Sequence, residues 1–218
     1  MDFADNDPAA FIALLRDFDA AKLDESDETV YGLWPDLTFA YFNNGWRRFA
    51  RDNGGEPAIS ENWSPGRCVL DAIPEPLKPF FQVNFAKCLR ENRPWEHRYE
   101  CSSVELIRMY HMLTFPLGDV AGLLVINSLR HEATNTYPSC PPLEPLYRNE
   151  HGILTQCCHC RRVLRIGTER RWDWVSDWID KRPKRISDGL CQPCMGFHYS
   201  PQRLDDTQFA QAFHTPEH

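Results

Sequence analysis

Residues 95–129 read WEHRYECSSVELIRMYHMLTFPLGDVAGLLVINSL, and this stretch decides the fold class. Its first segment alternates. Trp95, His97, Tyr99 and Cys101 face one way, and Glu96, Arg98 and Glu100 face the other, the period-2 pattern of a half-buried strand. Leu106 to Phe115 is a second strand, and Pro116-Leu117-Gly118-Asp119 turns the chain. Gly122 to Leu129 is a third. Its run Leu123-Leu124-Val125-Ile126 has no polar side, so both of its faces need cover. Centring the first hairpin on Val104 sets His97 opposite His111 and Tyr99 opposite Met109. The expected inner face of the sheet includes Tyr99 and Cys101.

Upstream, Glu75 to Asn92 is the longest helix candidate, with Leu77, Phe81, Phe85, Cys88 and Leu89 as its buried stripe. Val30 to Trp34 and Leu37 to Phe42 read as two strands separated by a turn at Pro35-Asp36. Trp46 to Ala50 reads as a short helix ending at Asn53-Gly54-Gly55. At the start, Asp7 fits an N-cap and Pro8 the first helical position. Phe11, Leu14, Leu15 and Phe18 then fall on one face. That stripe either covers the chain's own sheet or serves as a dimerisation face.

Composition narrows the function. Residues 1–29 hold nine acids against Arg16 and Lys22, which accounts for the whole net charge of -7. An acidic chain is a poor general binder of nucleic acid. No apolar run reaches the roughly 18 residues of a membrane span. Met1-Asp2-Phe3-Ala4-Asp5 also lacks the basic start and apolar core of a secretory leader. The expectation is a cytoplasmic protein with no membrane partner. No phosphate loop, nucleophile elbow or metalloprotease motif occurs, so no catalytic residue is assigned and no enzyme is expected.

Nine cysteines is high for a chain of this size, and four of them form two CxxC pairs, Cys157/Cys160 and Cys191/Cys194, with 30 residues between. In a reducing compartment such pairs read as metal ligands before disulfides. The spacing predicts a structural Zn²⁺ site of four thiolates, with a redox disulfide pair and an iron–sulfur site as alternatives. Cys158 and His159 lie inside the first pair. They are expected to point outward, although either can replace a neighbouring ligand. Trp172, Val175, Trp178 and Ile179 suggest a short helix with one aromatic face that either packs a small core or docks onto the preceding sheet domain. Around them Arg161, Arg162, Arg165, Arg170, Arg171, Lys181, Arg182, Lys184 and Arg185 make the segment locally basic. Such a face is solvated, contacts the acidic N-terminal helix, or binds nucleic acid.

The element order, together with Tyr41-Phe42-Asn43, Trp46-Arg47-Arg48-Phe49-Ala50, Gly66-Arg67, Tyr99-Glu100-Cys101-Ser102-Ser103 and Phe115-Pro116-Leu117, resembles a group of bacterial PAS proteins without assigned function. The resemblance implies a domain that senses a small ligand or cofactor and mediates dimerisation. Cys157 to Arg162, Trp172-Asp173-Trp174-Val175 and Ser187 to Cys194 resemble a short cysteine module at the ends of bacterial PAS and signalling proteins. That module usually has His before the last Gly, where this chain has Asp188.

The expected fold is therefore α+β. An amphipathic helix at 1–28 precedes a PAS-like domain at 29–130, with a five-stranded antiparallel sheet and flanking helices. A proline-rich linker follows at 131–152, a zinc-binding four-cysteine module at 153–200, and a tail at 201–218. Expected ligand-binding residues are His97, Tyr99, Cys101, Met109 and His111. Expected dimerisation residues are Phe11, Leu14, Leu15 and Phe18. The expected role is a sensory homodimer that signals by protein contact, and the alternative is a zinc-dependent nucleic-acid-binding regulator.

Overall fold

The computed structural model describes residues 8–167 and 170–199. Its contacts divide the chain into two compact units. One holds residues 8–73, 81–97 and 111–128; the other holds 74–80, 98–110 and the described residues from 129 onward.

The first unit begins with α1 (Pro8–Leu14) and α2 (Ala20–Glu25). Asp7, the expected cap of α1, lies outside the described residues. Between the two helices the backbone becomes extended at Phe18, and Asp19 restarts the helix by accepting from the Lys22 N–H. β1 (Thr29–Leu33) and β2 (Phe39–Phe42) follow, then α3 (Asn44–Asp52) and α4 (Ala58–Asn62). Asn43 joins these pieces from a fully buried position. Its Oδ1 accepts from Val30 and Trp46 N–H, and its Nδ2 donates to Leu23 and Glu28 carbonyls. Every polar group of its side chain is thereby used.

α5 (Lys78–Glu91) precedes β3 (Trp95–Glu100), β4 (Leu106–Leu117) and β5 (Gly122–Thr134). The five strands form one antiparallel sheet in the order β2-β1-β5-β4-β3. β1 and β5 pair with Val30 opposite Ile126 and Leu33 opposite Leu123. Leu123, Leu124 and Val125 are wholly buried. The cover that β5 demanded comes from the chain's own N-terminus. Phe11 and Leu15, one helical turn apart, pack with Val30, Leu117 and Leu124. The Phe11 ring lies over Gly32 of β1, where a Cβ would collide with it, and reaches Gly122 of β5, where a Cβ would stand 3.0 Å from it. Trp34 meets it edge-on at 5.3 Å. Leu14 and Phe18 are partly buried against the same cluster. All four side chains of the expected dimerisation face therefore find cover within the chain.

Three other expectations change. The first hairpin is tied by Cys101 N–H to Arg108 O at 2.9 Å and Ser103 N–H to Leu106 O at 2.8 Å. Its turn centres between Val104 and Glu105, not on Val104. Tyr99 accordingly stacks on Tyr110, at 5.5 Å and 14°, and not on Met109. A one-residue slip in a strand moves every partner to the other face. Cys101, expected on the inner face, is exposed. Finally, residues 131–152 are not a free linker. β5 runs on to Thr134, Cys140 N–H bonds Trp174 O at 2.7 Å, and Tyr147 is buried in a core with Leu154, Val163, Val175 and Trp178. Among the described residues, no helix is long and apolar enough to cross a membrane.

Candidate metal centre

The second unit carries a four-stranded sheet. β6 (Leu154–Cys157), β7 (Val163–Arg165), β8 (Arg171–Asp173) and β9 (Ile186–Gly189) lie in the order β8-β7-β6-β9. The short helix α6 (Asp177–Asp180) and the helix α7 (Gln192–His198) complete it. Trp172 sits on β8 and Val175 precedes α6, so the expected aromatic helix is only one turn long. Val175 and Trp178 do pack a small core, as anticipated.

The pairing of β6 with β9 is parallel, and it assembles the site. It sets Cys157 beside Gly189, so Cys191 arrives two residues later at the start of α7 and Cys194 in its first turn. A Cβ on Gly189 would press on Thr155 at 2.7 Å, which is why the strands close only over a glycine. On the other side the chain turns tightly after Cys157. Arg161 N–H returns to Cys157 O at 3.0 Å, and Arg161 takes a left-handed φ of 63°. That conformation costs an L-residue roughly 1–2 kcal/mol, and it turns the chain back so that Arg162 O accepts from Cys157 N–H at 2.8 Å.

The four sulfurs lie within 4.8 Å of one another, and all four cysteines are buried. Cys160 Sγ and Cys191 Sγ are 3.7 Å apart. Cys191 N–H points at Cys157 Sγ from 3.4 Å. Trp172 and Leu190 pack against the cluster. These four cysteines can hold a metal ion. The thiols also share protons unevenly. Hydrogen bonds from Cys160, Cys191 and Cys194 hold Cys157 far below the usual thiol range, while Cys160 and Cys194 are pushed up.

No protein-family model and no curated protein matches this chain.

Around the cluster, Cys158 is half-buried, and burial together with the charge of Cys157 pushes its thiol up to about 12. His159 does not point outward as expected. It is buried, with Nδ1 2.9 Å from Tyr199 Oη and Nε2 accepting from Glu100 N–H at 3.3 Å. Accepting through Nε2 requires a neutral ring with its proton on Nδ1. Burial, then the neighbouring His198, pushes the His159 pKa down to about 4, in agreement. Asp188 bonds Arg182 at 2.6 Å.

Sequence reasoning missed His198, Tyr199 and the buried Asp173. Asp173 receives Tyr147 Oη at 2.9 Å and ion-pairs with Arg165 at 2.6 Å and Arg171 at 3.0 Å. Only His198 left a signal, standing four residues after Cys194 and hence on the same helical face.

The expected ligand residues do not converge. His97 is buried against the Phe81 and Trp95 rings. His111 bonds Glu96 at 3.0 Å, and Glu96 lies on the face of β3 opposite to His97. Alternation likewise sends Met109 to the face opposite its neighbour Tyr110, which Tyr99 stacks upon. A cleft of ≈ 540 Å³ lies elsewhere, lined by Ile12, Leu15, Asp24, Tyr41 and Arg47 among others. Burial, with Asp24 beside it, pushes the Tyr41 hydroxyl up to about 12.

Proposed function

We propose that the cysteine cluster is a structural Zn²⁺ site and that the protein is a cytoplasmic sensor whose PAS-like sheet domain binds a small ligand or partner. The observation that carries the metal reading is the sulfur geometry. A tetrahedral ion with bonds of about 2.3 Å separates its ligands by about 3.8 Å, and Cys160 and Cys191 stand 3.7 Å apart. A disulfide would hold them at about 2.05 Å. Four thiolates leave no open coordination position, so the ion's chemistry is to tie β6 and α7 together and not to activate water. Formation of such a site supports folding of a module with little core of its own.

The sensory reading is supported by the order of elements in residues 29–130 and by the motifs that resemble PAS proteins. The nucleic-acid alternative draws less support. Arg165 and Arg171 are committed to Asp173, Arg182 to Asp188 and Gln156, Arg185 to His151 O, and Arg162 lies over the Tyr137 ring. These five cations are engaged within the module, whereas Arg170, Lys181 and Lys184 stay exposed.

Native mass spectrometry of freshly purified protein tests the proposal by reporting metal, small ligand and subunit number together. One zinc per chain with a bound small molecule is expected. A bare chain mass without metal would overturn the zinc reading. A metal-loaded chain that binds DNA with a steep salt dependence would favour the alternative.

A further inference from the structure

β3 is an outer strand of the five-stranded sheet. Cys101 and Ser103 bond inward, to Arg108 and Leu106, so alternation turns the N–H and C=O groups of Arg98 and Glu100 outward. An outer strand leaves such groups ready for any extended chain. Here two imidazoles take them. His198 Nδ1 donates to Arg98 O at 2.9 Å, and Glu100 N–H donates to His159 Nε2 at 3.3 Å. The two rings lie 4.0 Å apart. His159 sits between Cys157 and Cys160, and His198 stands one helical turn beyond Cys194. Each imidazole is therefore mounted on one cysteine pair, and closing the cluster brings both to the strand.

We infer that His159 and His198 form a clasp on the open edge of β3, that the metal at the four cysteines holds the clasp shut, and that metal loss hands this edge to a second copy of the chain. The inference rests on the metal reading above. Charge identifies the occupant. Antiparallel pairing of two β3 strands about a two-fold axis at Tyr99 sets Arg98 of each copy opposite Glu100 of the other. That makes two opposite-charge cross-strand pairs in a self-complementary interface. Arg98 is exposed and Glu100 half-buried. The two imidazoles occupy the same backbone groups that this pairing needs, so clasp and dimer exclude each other.

Hydrogen exchange and sedimentation of the full chain test this, with zinc content measured in every sample. Exchange is read in an Arg98→Glu background, which cannot pair. There the Glu100 amide should exchange slowly with metal bound and at least about tenfold faster after chelation, because it loses its acceptor. The Cys101 and Ser103 amides, bonded inside the hairpin, should stay slow in both. With Arg98 intact, chelation should convert monomer to dimer. The double variant His159→Ala, His198→Ala should do the same while retaining its zinc. Arg98→Glu should abolish that dimer, and Arg98→Glu combined with Glu100→Arg should restore it. An unchanged Glu100 amide in the histidine double variant overturns the clasp, whether or not metal is present. A fast amide in that variant, in protein that never held metal, overturns metal control and the zinc reading but leaves the clasp. A dimer indifferent to charge reversal overturns β3 as its seam.

Discussion

Gly32→Ala should destabilise the protein by about 2–3 kcal/mol, and the whole cost should vanish when Phe11 is also shortened. A Cβ at residue 32 would strike Cε1 and Cζ of Phe11, so the ring must shift. Its neighbours limit that shift, because Trp34 meets it edge-on at 5.3 Å and Tyr41 lies parallel to it at 6.4 Å. Phe11 must then leave its slot or strain it. Leaving forfeits much of the roughly 1.5–3 kcal/mol gained by burying such a side chain, and overpacking costs roughly 1–3 kcal/mol. Phe11→Ala alone should cost about 3–5 kcal/mol. In that background the clash is gone, and alanine suits a strand interior better than glycine by roughly 0.5–1 kcal/mol. The coupling between the two changes should therefore be about 2–3 kcal/mol. Urea unfolding reads it as midpoint shifts at constant slope. If the two changes add within about 0.5 kcal/mol, Phe11 does not lie on Gly32, and the N-terminal stripe is free to seek a partner after all.

Thiol titration offers a second check. Exposed Cys101, although its thiol is also raised, should react before buried Cys88, whose thiol burial pushes up to about 11, and chelator should release four further thiols. An unchanged count after chelation would contradict metal binding. Asp173→Asn leaves Arg165 and Arg171 around a neutral group. Breaking a buried pair costs about 3–5 kcal/mol, less here because the two arginine side chains are 25% and 54% exposed. A loss of about 2–3 kcal/mol is expected in urea unfolding, and a loss under about 0.5 kcal/mol would show that the network is ornamental. Asn43→Ala removes hydrogen bonds to four backbone groups. It should cost more than the roughly 1 kcal/mol of an ordinary cap, and a smaller effect would mean water replaces the side chain.

Much of this architecture was legible from periodicity. The alternation from Trp95 to Cys101 and the unbroken apolar run at Leu123 to Ile126 fixed two strands and the need for cover between layers. The stripe of Phe81, Phe85 and Cys88 marked α5. Register was not legible, because nothing in Ser102-Ser103-Val104-Glu105 specifies a turn type, and centring it on one residue instead of between two reversed the facing of Met109 and His111. The four cysteines were legible because two CxxC pairs are a rare, local pattern. The surroundings were not. His159 looked like a spacer, and its burial depends on contacts with Glu100 and Tyr199, far away in sequence. Asp173 likewise looked like one acid among basic residues until the strands β7 and β8 brought Arg165 and Tyr147 to it.

X-ray absorption at the zinc edge, on protein purified without chelator, addresses the metal centre most directly. One zinc per chain with four sulfur ligands at about 2.3 Å is expected. Less than about half an equivalent of zinc, or nitrogen or oxygen in its coordination sphere, would contradict a closed site built from Cys157, Cys160, Cys191 and Cys194.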